Sequence, residues 1–165
     1  MILAVTCIRT AALALDNGLA LTPPMGFNSY MSGQTGEKWL TAIASYFSQS
    51  GMQKKGYVYV NTDEGWELST RSSAGQLQWD PEEYPSGLPT FIAKLHRMGF
   101  KYGIYGAASA ITCGLRPGQL YYERRDAETY AEWGVDFLKS DNCASYALDS
   151  SVRFGAMRDA LNMTS

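Results

Sequence analysis

The segment FLKSDNC at residues 137–143 places the strongest constraint on the architecture of this chain. Two apolar residues run directly into a lysine, a carboxylate and a cysteine. A second segment, YVYVNTDEGW at residues 57–66, contains two adjacent acids after a similar apolar run. In parallel α/β barrels, the chemically active side chains lie at the carboxyl ends of the strands. The two segments therefore predict a parallel α/β fold with carboxylate chemistry at its strand ends.

The chain repeats a unit of helix, glycine and short apolar strand. Apolar spacing predicts strands at 27–30, 57–60, 101–105 and 135–138, helices that stop at Gly51, Gly99 and Gly134, and a last helix at 152–161. Parallel strands require crossover helices of this kind. About four βα units form either a small doubly wound sheet or half of an eight-unit barrel, and the pattern alone leaves both open.

The composition describes an ordinary folded domain. The chain has 165 residues, of which 45% are hydrophobic, and its net charge is -2. This length is enough for one domain with a real core. The charge gives no electrostatic reason to expect nucleic acid or an anionic membrane as a partner. No apolar run approaches the roughly 20 residues that span a bilayer, so we expect no transmembrane segment.

The first 14 residues are a candidate signal peptide, and we expect the domain to occupy residues 15–165. The apolar start and the A-L-A sequence at 12–14, which resembles a small-residue cleavage site, favour export, although Arg9 interrupts the run and no leading positive charge is present. The alternative is a mispredicted or truncated N-terminus. Without Cys7, two cysteines remain, which fit one disulfide in a secreted protein or two free thiols in a cytosolic one. These cysteines and His96 offer too few ligands for a metal site.

Two acidic segments are candidates for chemistry. Lys139 and Asp141 are two residues apart on a strand, so they point to the same face. The lysine favours an ionised carboxylate, which can attack an anomeric carbon; the alternative is an ordinary surface ion pair. Asp63 and Glu64 can bind a metal or accept hydrogen bonds from sugar hydroxyls, or they form a solvated turn. Small residues after Tyr105 permit close approach of a ligand.

Taken together, these segments resemble the alpha-galactosidase (melibiase) family of glycoside hydrolases, most closely its secreted fungal members. The matching pieces occur in the family's order from about residue 19 onward: LTPPMGFNSY (21–30), DEGW (63–66), YPSG (84–87), GIY (103–105), TC (112–113) and WGVDFLKSDNC (133–143). The resemblance implies an eight-unit βα barrel, of which this chain is the N-terminal half, followed by a β-sandwich domain. It also implies retaining hydrolysis of terminal alpha-linked D-galactose, with no metal or organic cofactor.

The resemblance assigns roles to individual residues. Asp141 matches the nucleophile that forms the covalent glycosyl-enzyme. The substrate-binding positions that it implies are Phe27, Asp63, Glu64, Tyr105 and Lys139. Among these, Phe27 stands where the family usually has a tryptophan at the sugar pocket. Cys113 and Cys143 match a disulfide between the loops that follow the third and fourth strands.

Several positions depart from the family pattern. Gly65 replaces a cysteine of a second disulfide, Glu64 replaces an aspartate, and small residues at 106–107 replace an acid. The family's acid/base lies on a later strand, and no residue here matches it. We therefore predict that the chain alone does not turn over substrate.

The expected partners are an alpha-galactoside and the remaining half of the barrel, with neither nucleic acid nor membrane. The expected location is extracellular. Three alternatives stay open: an alpha-N-acetylgalactosaminidase, a carbohydrate-binding remnant without catalysis, and an unrelated small α/β protein.

Overall fold

The computed structural model describes residues 16–144 and 148–164, so the candidate signal peptide and Cys7 lie outside the described residues. The elements in chain order are β1 (Gly26–Asn28), α1 (Glu37–Gln49), a short 3-10 helix (Gln53–Lys55), β2 (Tyr59–Asn61), α2 (Leu88–Arg97), β3 (Lys101–Ala107), α3 (Glu123–Trp133), β4 (Phe137–Asp141) and α4 (Ser150–Asn162). Among the described residues, no helix combines the length and apolarity needed to cross a bilayer.

The four strands form one parallel sheet in the order β1-β2-β3-β4. Every strand lies beside the next one along the chain, and a helix separates each consecutive pair. A doubly wound sheet reverses its strand order at a switch point, whereas a barrel keeps the sequential order. The topology therefore favours the half-barrel over the doubly wound alternative.

Each predicted strand differs from the observed one by one to three residues: the second covers Tyr59–Asn61 rather than 57–60, and the third continues to residue 107 rather than 105. For the first and fourth strands the structure shows a local reason. The first strand ends at Asn28 rather than at residue 30, because the Asn28 side-chain oxygen accepts the N–H of Tyr30 and turns the chain. The fourth strand begins at Phe137 rather than at 135. Gly134 caps α3 in a left-handed conformation, and the Val135 N–H bonds back into that helix. At its other end, β4 continues to Asp141, three residues beyond the predicted end at 138.

The hydrophobic core lies between the sheet and helices α1 and α2. Leu40, Phe91 and Leu95 are fully buried on these helices, and Tyr102 is fully buried on β3. Burial of each large apolar side chain contributes about 1.5–3 kcal/mol. A smaller cluster joins α3 to α4 through Ala127, Met157 and Ala160. This packing fixes the positions of the strand ends that carry the polar groups.

Candidate active site

The polar site lies where β2, β3 and β4 end. The register pairs Tyr105 with Lys139 and residue 107 with Asp141. The Lys139 Nζ donates to Asp63 Oδ2 at 2.5 Å, which joins the end of β4 to the loop after β2 across the intervening strand. Asp63 is itself fixed by its backbone N–H, which donates to Ser29 Oγ at 2.7 Å. Four of the residues predicted from the sequence, Asp63, Tyr105, Lys139 and Asp141, are thus brought together at one edge of the sheet.

Asp141, the predicted nucleophile, accepts hydrogen bonds at both carboxylate oxygens. The Tyr105 hydroxyl donates to Oδ2 at 3.1 Å, and the Asn142 N–H donates to Oδ1 at 2.8 Å. Burial raises the pKa of Tyr105 well above its ordinary value, and the negative charges of Glu64 and Asp141 raise it further. The hydroxyl therefore keeps its proton and acts as a donor that orients the carboxylate.

A disulfide joins Cys113 to Cys143 beside this carboxylate. The Cys113 Sγ lies 3.7 Å from Asp141 Oδ2, and the Cys143 Sγ lies 3.8 Å from the Tyr105 hydroxyl. The ligand atoms of both cysteines and Asp141 lie within 4.8 Å of one another. Because the two sulfur atoms are bonded to each other, they offer no thiolate to a metal. The cluster is therefore a covalent tether between the loops after β3 and β4.

Glu64 connects the loops after β2 and β3. Both of its carboxylate oxygens accept the N–H of Gly114, at 2.8 and 2.9 Å. A Cβ at Gly114 would lie only 2.8 Å from Glu64 Oε1, so a side chain at this position would displace the carboxylate. Glu64 holds the loop that contains Cys113, and its predicted role as a sugar ligand stays a prediction.

Phe27 and Tyr30 occupy different environments. Phe27 lies in the middle of β1 and packs against the hydrophobic core, so its predicted place at the sugar pocket stays a prediction. Tyr30 is 65% exposed, and its ring centroid lies 4.5 Å from the Lys139 Nζ. Such a contact is a cation–π interaction. Sequence reasoning missed Tyr30 because it placed this residue inside the first strand.

This arrangement can present a carboxylate oxygen to an electrophilic carbon and can bind hydroxyl groups. Asp141 offers the carboxylate, while the Asp63–Lys139 pair offers an acceptor and a donor side by side. An exposed aromatic face, such as that of Tyr30, suits the apolar face of a sugar ring. The arrangement thus places a potential nucleophile beside groups that can bind hydroxyls.

Comparison with known proteins places the chain in a family. The family model described as alpha galactosidase A matches residues 30–165. Alpha-galactosidase 3 of Arabidopsis thaliana is 42% identical over 154 residues, which cover 92% of this chain and 35% of the relative. Alpha-galactosidase mel1 of Schizosaccharomyces pombe is 39% identical, with coverage of 90% and 36%. The chain thus spans about a third of the length of these curated relatives.

Solved structures agree with the sequence comparison. Alpha-galactosidase I from Mortierella vinacea superposes with a TM-score of 0.87 at 37% identity, and the match covers 91% of this chain and 40% of that one. The alpha-galactosidase of Saccharomyces cerevisiae gives a TM-score of 0.85 at 36% identity, with coverage of 90% and 34%. The four βα units form half of an eight-unit barrel, which confirms the predicted fold. The chain belongs to the alpha-galactosidase family.

Proposed function

We propose that this chain carries the nucleophile half of a retaining hydrolase that acts on terminal alpha-linked D-galactose. The observation that carries the proposal is the hydrogen-bonded carboxylate of Asp141, which lies at the same strand end as Lys139. One solved relative, the Saccharomyces cerevisiae alpha-galactosidase, has been crystallised with raffinose, a galactoside. The family relationship makes the same class of substrate the first choice here.

In the proposed first step, a carboxylate oxygen of Asp141 attacks the anomeric carbon of the galactose. The bond from that carbon to the leaving oxygen breaks, and the leaving oxygen takes the electron pair and a proton from an acid. Water then cleaves the resulting ester with the acid acting as a base. Retaining enzymes place the two carboxyl groups about 5–5.5 Å apart. We match no residue of this chain to the acid/base, so we expect no galactose release from the chain alone.

Substrate binding is proposed for the groups around Lys139. Its ammonium and the Asp63 carboxylate would hydrogen-bond the sugar hydroxyls, and the face of Tyr30 would pack against the apolar face of the ring. Glu64, Phe27 and Tyr105 complete the proposed binding set. A preference for galactose over N-acetylgalactosamine is tested by comparing the affinities of the two free sugars.

Further βα units are the proposed partner of the sheet. All five residues of β4 are partly exposed, whereas six of the seven residues of β3 are buried. Parallel sheets are normally covered on both faces. The remaining half of the same barrel would cover β4 and bring the missing acid to the site.

Secretion is also proposed. The Cys113–Cys143 disulfide supports it, because disulfides persist in oxidising compartments and are rare in the cytosol. Mass analysis of the protein from its source with and without reductant tests the point. Free thiols at both positions would contradict it.

The decisive experiment uses 2-deoxy-2-fluoro-galactosyl fluoride with the alpha configuration. Fluoride leaves without protonation, so attack by Asp141 is testable even though no acid is assigned. The carbon–fluorine bond breaks, an ester to the aspartate forms, and fluoride departs with the electron pair. We expect mass spectrometry of peptides to place the label on Asp141 and to find none in the Asp141→Asn variant. Label on another residue would contradict the proposal, and galactose binding without label would favour a non-catalytic carbohydrate-binding module.

A further inference from the structure

Glu67 is a buried carboxyl that the proposed catalysis does not use. Glu67 is only 2% exposed. Its backbone pairs with Trp79 in an antiparallel bridge, and backbone hydrogen bonds on either side of this bridge extend it into a short hairpin, the 66–80 hairpin. Glu67 is therefore fixed to a part of the fold that lies next to the substrate-binding loop.

One contact connects this carboxyl to the loop after β2. The Gly65 N–H donates to Glu67 Oε2 at 3.2 Å. On the other side of the same residue, the Thr35 hydroxyl donates to the Gly65 carbonyl oxygen at 3.3 Å. Gly65 has φ +109, a conformation that other residues rarely adopt. Because glycine can adopt many backbone conformations, these two hydrogen bonds help to fix the one seen here.

The orientation of Gly65 matters because Asp63 and Glu64 directly precede it. Asp63 contacts Lys139, and Glu64 contacts Gly114, so both carboxylates depend on how the loop leaves β2. We infer that Glu67 is a positioning residue that holds the 63–65 turn in its sugar-binding conformation through the N–H of Gly65. This inference rests on the proposed function, because it assigns Glu67 to the binding of the same sugar.

The charge of Glu67 changes near neutral pH. Burial raises its pKa to about 7, hydrogen bonds from its own backbone N–H and that of Gly65 oppose this, and the charge of Glu64 adds to it. A charged acceptor forms stronger hydrogen bonds than a neutral one. The Gly65 contact should therefore tighten as the pH rises through 7.

Other charged and titratable groups act on Glu67 from neighbouring elements. They are Glu64, Arg116, Tyr84, Tyr102 and Tyr130. Burial raises the pKa of all three tyrosines, so they stay neutral between pH 6 and 8. Glu64 raises the pKa of Glu67 through its charge, and Arg116 lowers it. Glu67, whose pKa lies near 7, is therefore the group whose charge the pH series follows.

The test measures D-galactose affinity by calorimetry at pH 6 and pH 8. For the unmodified chain we expect about fivefold tighter binding at pH 8, from a gain typical of a charge-assisted hydrogen bond. Glu67→Gln keeps an acceptor of the same shape but cannot ionise, so its affinity should be equal at both pH values. Glu132→Gln, at an exposed position of α3, is the matched control and should behave like the unmodified chain.

A second readout needs no ligand. The amide proton shift of Gly65, followed by NMR between pH 5.5 and 8.5, should titrate near 7 and become flat in Glu67→Gln. A flat Gly65 signal in the unmodified chain would overturn the inference, and so would a pH dependence of affinity that survives in Glu67→Gln. If Gly65 titrates but no galactose binds at any pH, the proposed function fails and takes the sugar-binding role of Glu67 with it.

Discussion

The loops after β2 and β4 carry the two sides of the candidate site, but different interactions hold them. The loop after β4 is tied by the disulfide of Cys143 and by Arg153 of α4, which donates to Asn142 Oδ1 at 2.7 Å. The covalent bond holds this loop until a reductant or another thiol opens it. The nucleophile side should therefore be sensitive to reductant.

The loop after β2 has the opposite character. Hydrogen bonds from the Gly65 N–H to Glu67 and from the Thr35 hydroxyl to the Gly65 carbonyl hold its turn. These contacts depend on a carboxyl that titrates near 7. The binding side should therefore respond to pH, and the difference shows that one site can combine two independent means of positioning.

The largest expected effect concerns the ion pair that joins the 66–80 hairpin to helix α3. Arg71 donates to both carboxylate oxygens of Asp126, at 2.6 and 2.7 Å, and Asp126 is completely buried. Arg71→Ala leaves that carboxylate without its partner, which should lower the free energy of unfolding by about 3–5 kcal/mol. Urea denaturation measures the change.

Helix α3, which contains Asp126, also supplies a matched control for this prediction. Arg124 and Glu128 form an exposed pair, with side-chain exposures of 77% and 51%. Arg124→Ala should lower the free energy of unfolding by no more than about 0.5 kcal/mol. Equal losses in the two arginine variants would show that the hairpin is not held by its buried ion pair.

The next effect concerns the covalent side. The bond between Cys113 and Cys143 closes a loop with a sequence separation of 30 residues. Replacing both cysteines by serine should lower the free energy of unfolding by about 3–4 kcal/mol, because the unfolded chain gains entropy. Urea denaturation of the variant and of the reduced protein should agree. If the amide proton shift of Gly65 no longer changes with pH in this variant, the two loops are coupled and the contrast between them is wrong.

The third effect concerns pH. The folded-state pKa of Glu67 is raised from 4.5 to about 7, so the folded protein binds a proton that the unfolded chain releases between these values. The free energy of unfolding should therefore decrease as the pH rises from 4.5 to 7. A difference of about 2.5 pKa units corresponds to about 3 kcal/mol.

Urea denaturation across this range measures the contribution, and Glu67→Gln should remove it. Glu132→Gln, with its exposed side chain, should keep the slope of the unmodified chain. An unchanged slope in Glu67→Gln would assign the titration to another group.

The βα units were predictable because their signals are local. Apolar spacing and stop glycines such as Gly99 and Gly134 act within one helix, and they were enough to give the order of elements. The exact strand ends were not predictable in this way. They depend on side-chain and capping contacts, such as the Asn28 hydrogen bond to Tyr30, which compete with strand geometry.

The site was predictable only in part. Asp63, Lys139 and Asp141 follow apolar runs, so their place at strand ends was visible in the sequence. Glu67 reads as one more acid in a polar segment, and its burial arises from pairing with Trp79, twelve positions away. Apolar periodicity within a few residues cannot predict a contact between residues this far apart in the sequence.

The smallest expected effect concerns the length of the acidic side chain at position 64, where glutamate is one methylene longer than aspartate. Glu64 reaches Gly114 with both oxygens, and Glu64→Asp shortens the arm by one carbon–carbon bond, about 1.5 Å. The Gly114 N–H then loses a charged acceptor, and the free energy of unfolding should fall by about 1 kcal/mol. Hydrogen exchange at the Gly114 amide should become faster, while Glu132→Asp should leave it unchanged. If exchange at Gly114 does not change, a contact other than Glu64 holds the loop after β3. The longer side chain at position 64 would then be explained by sugar binding instead.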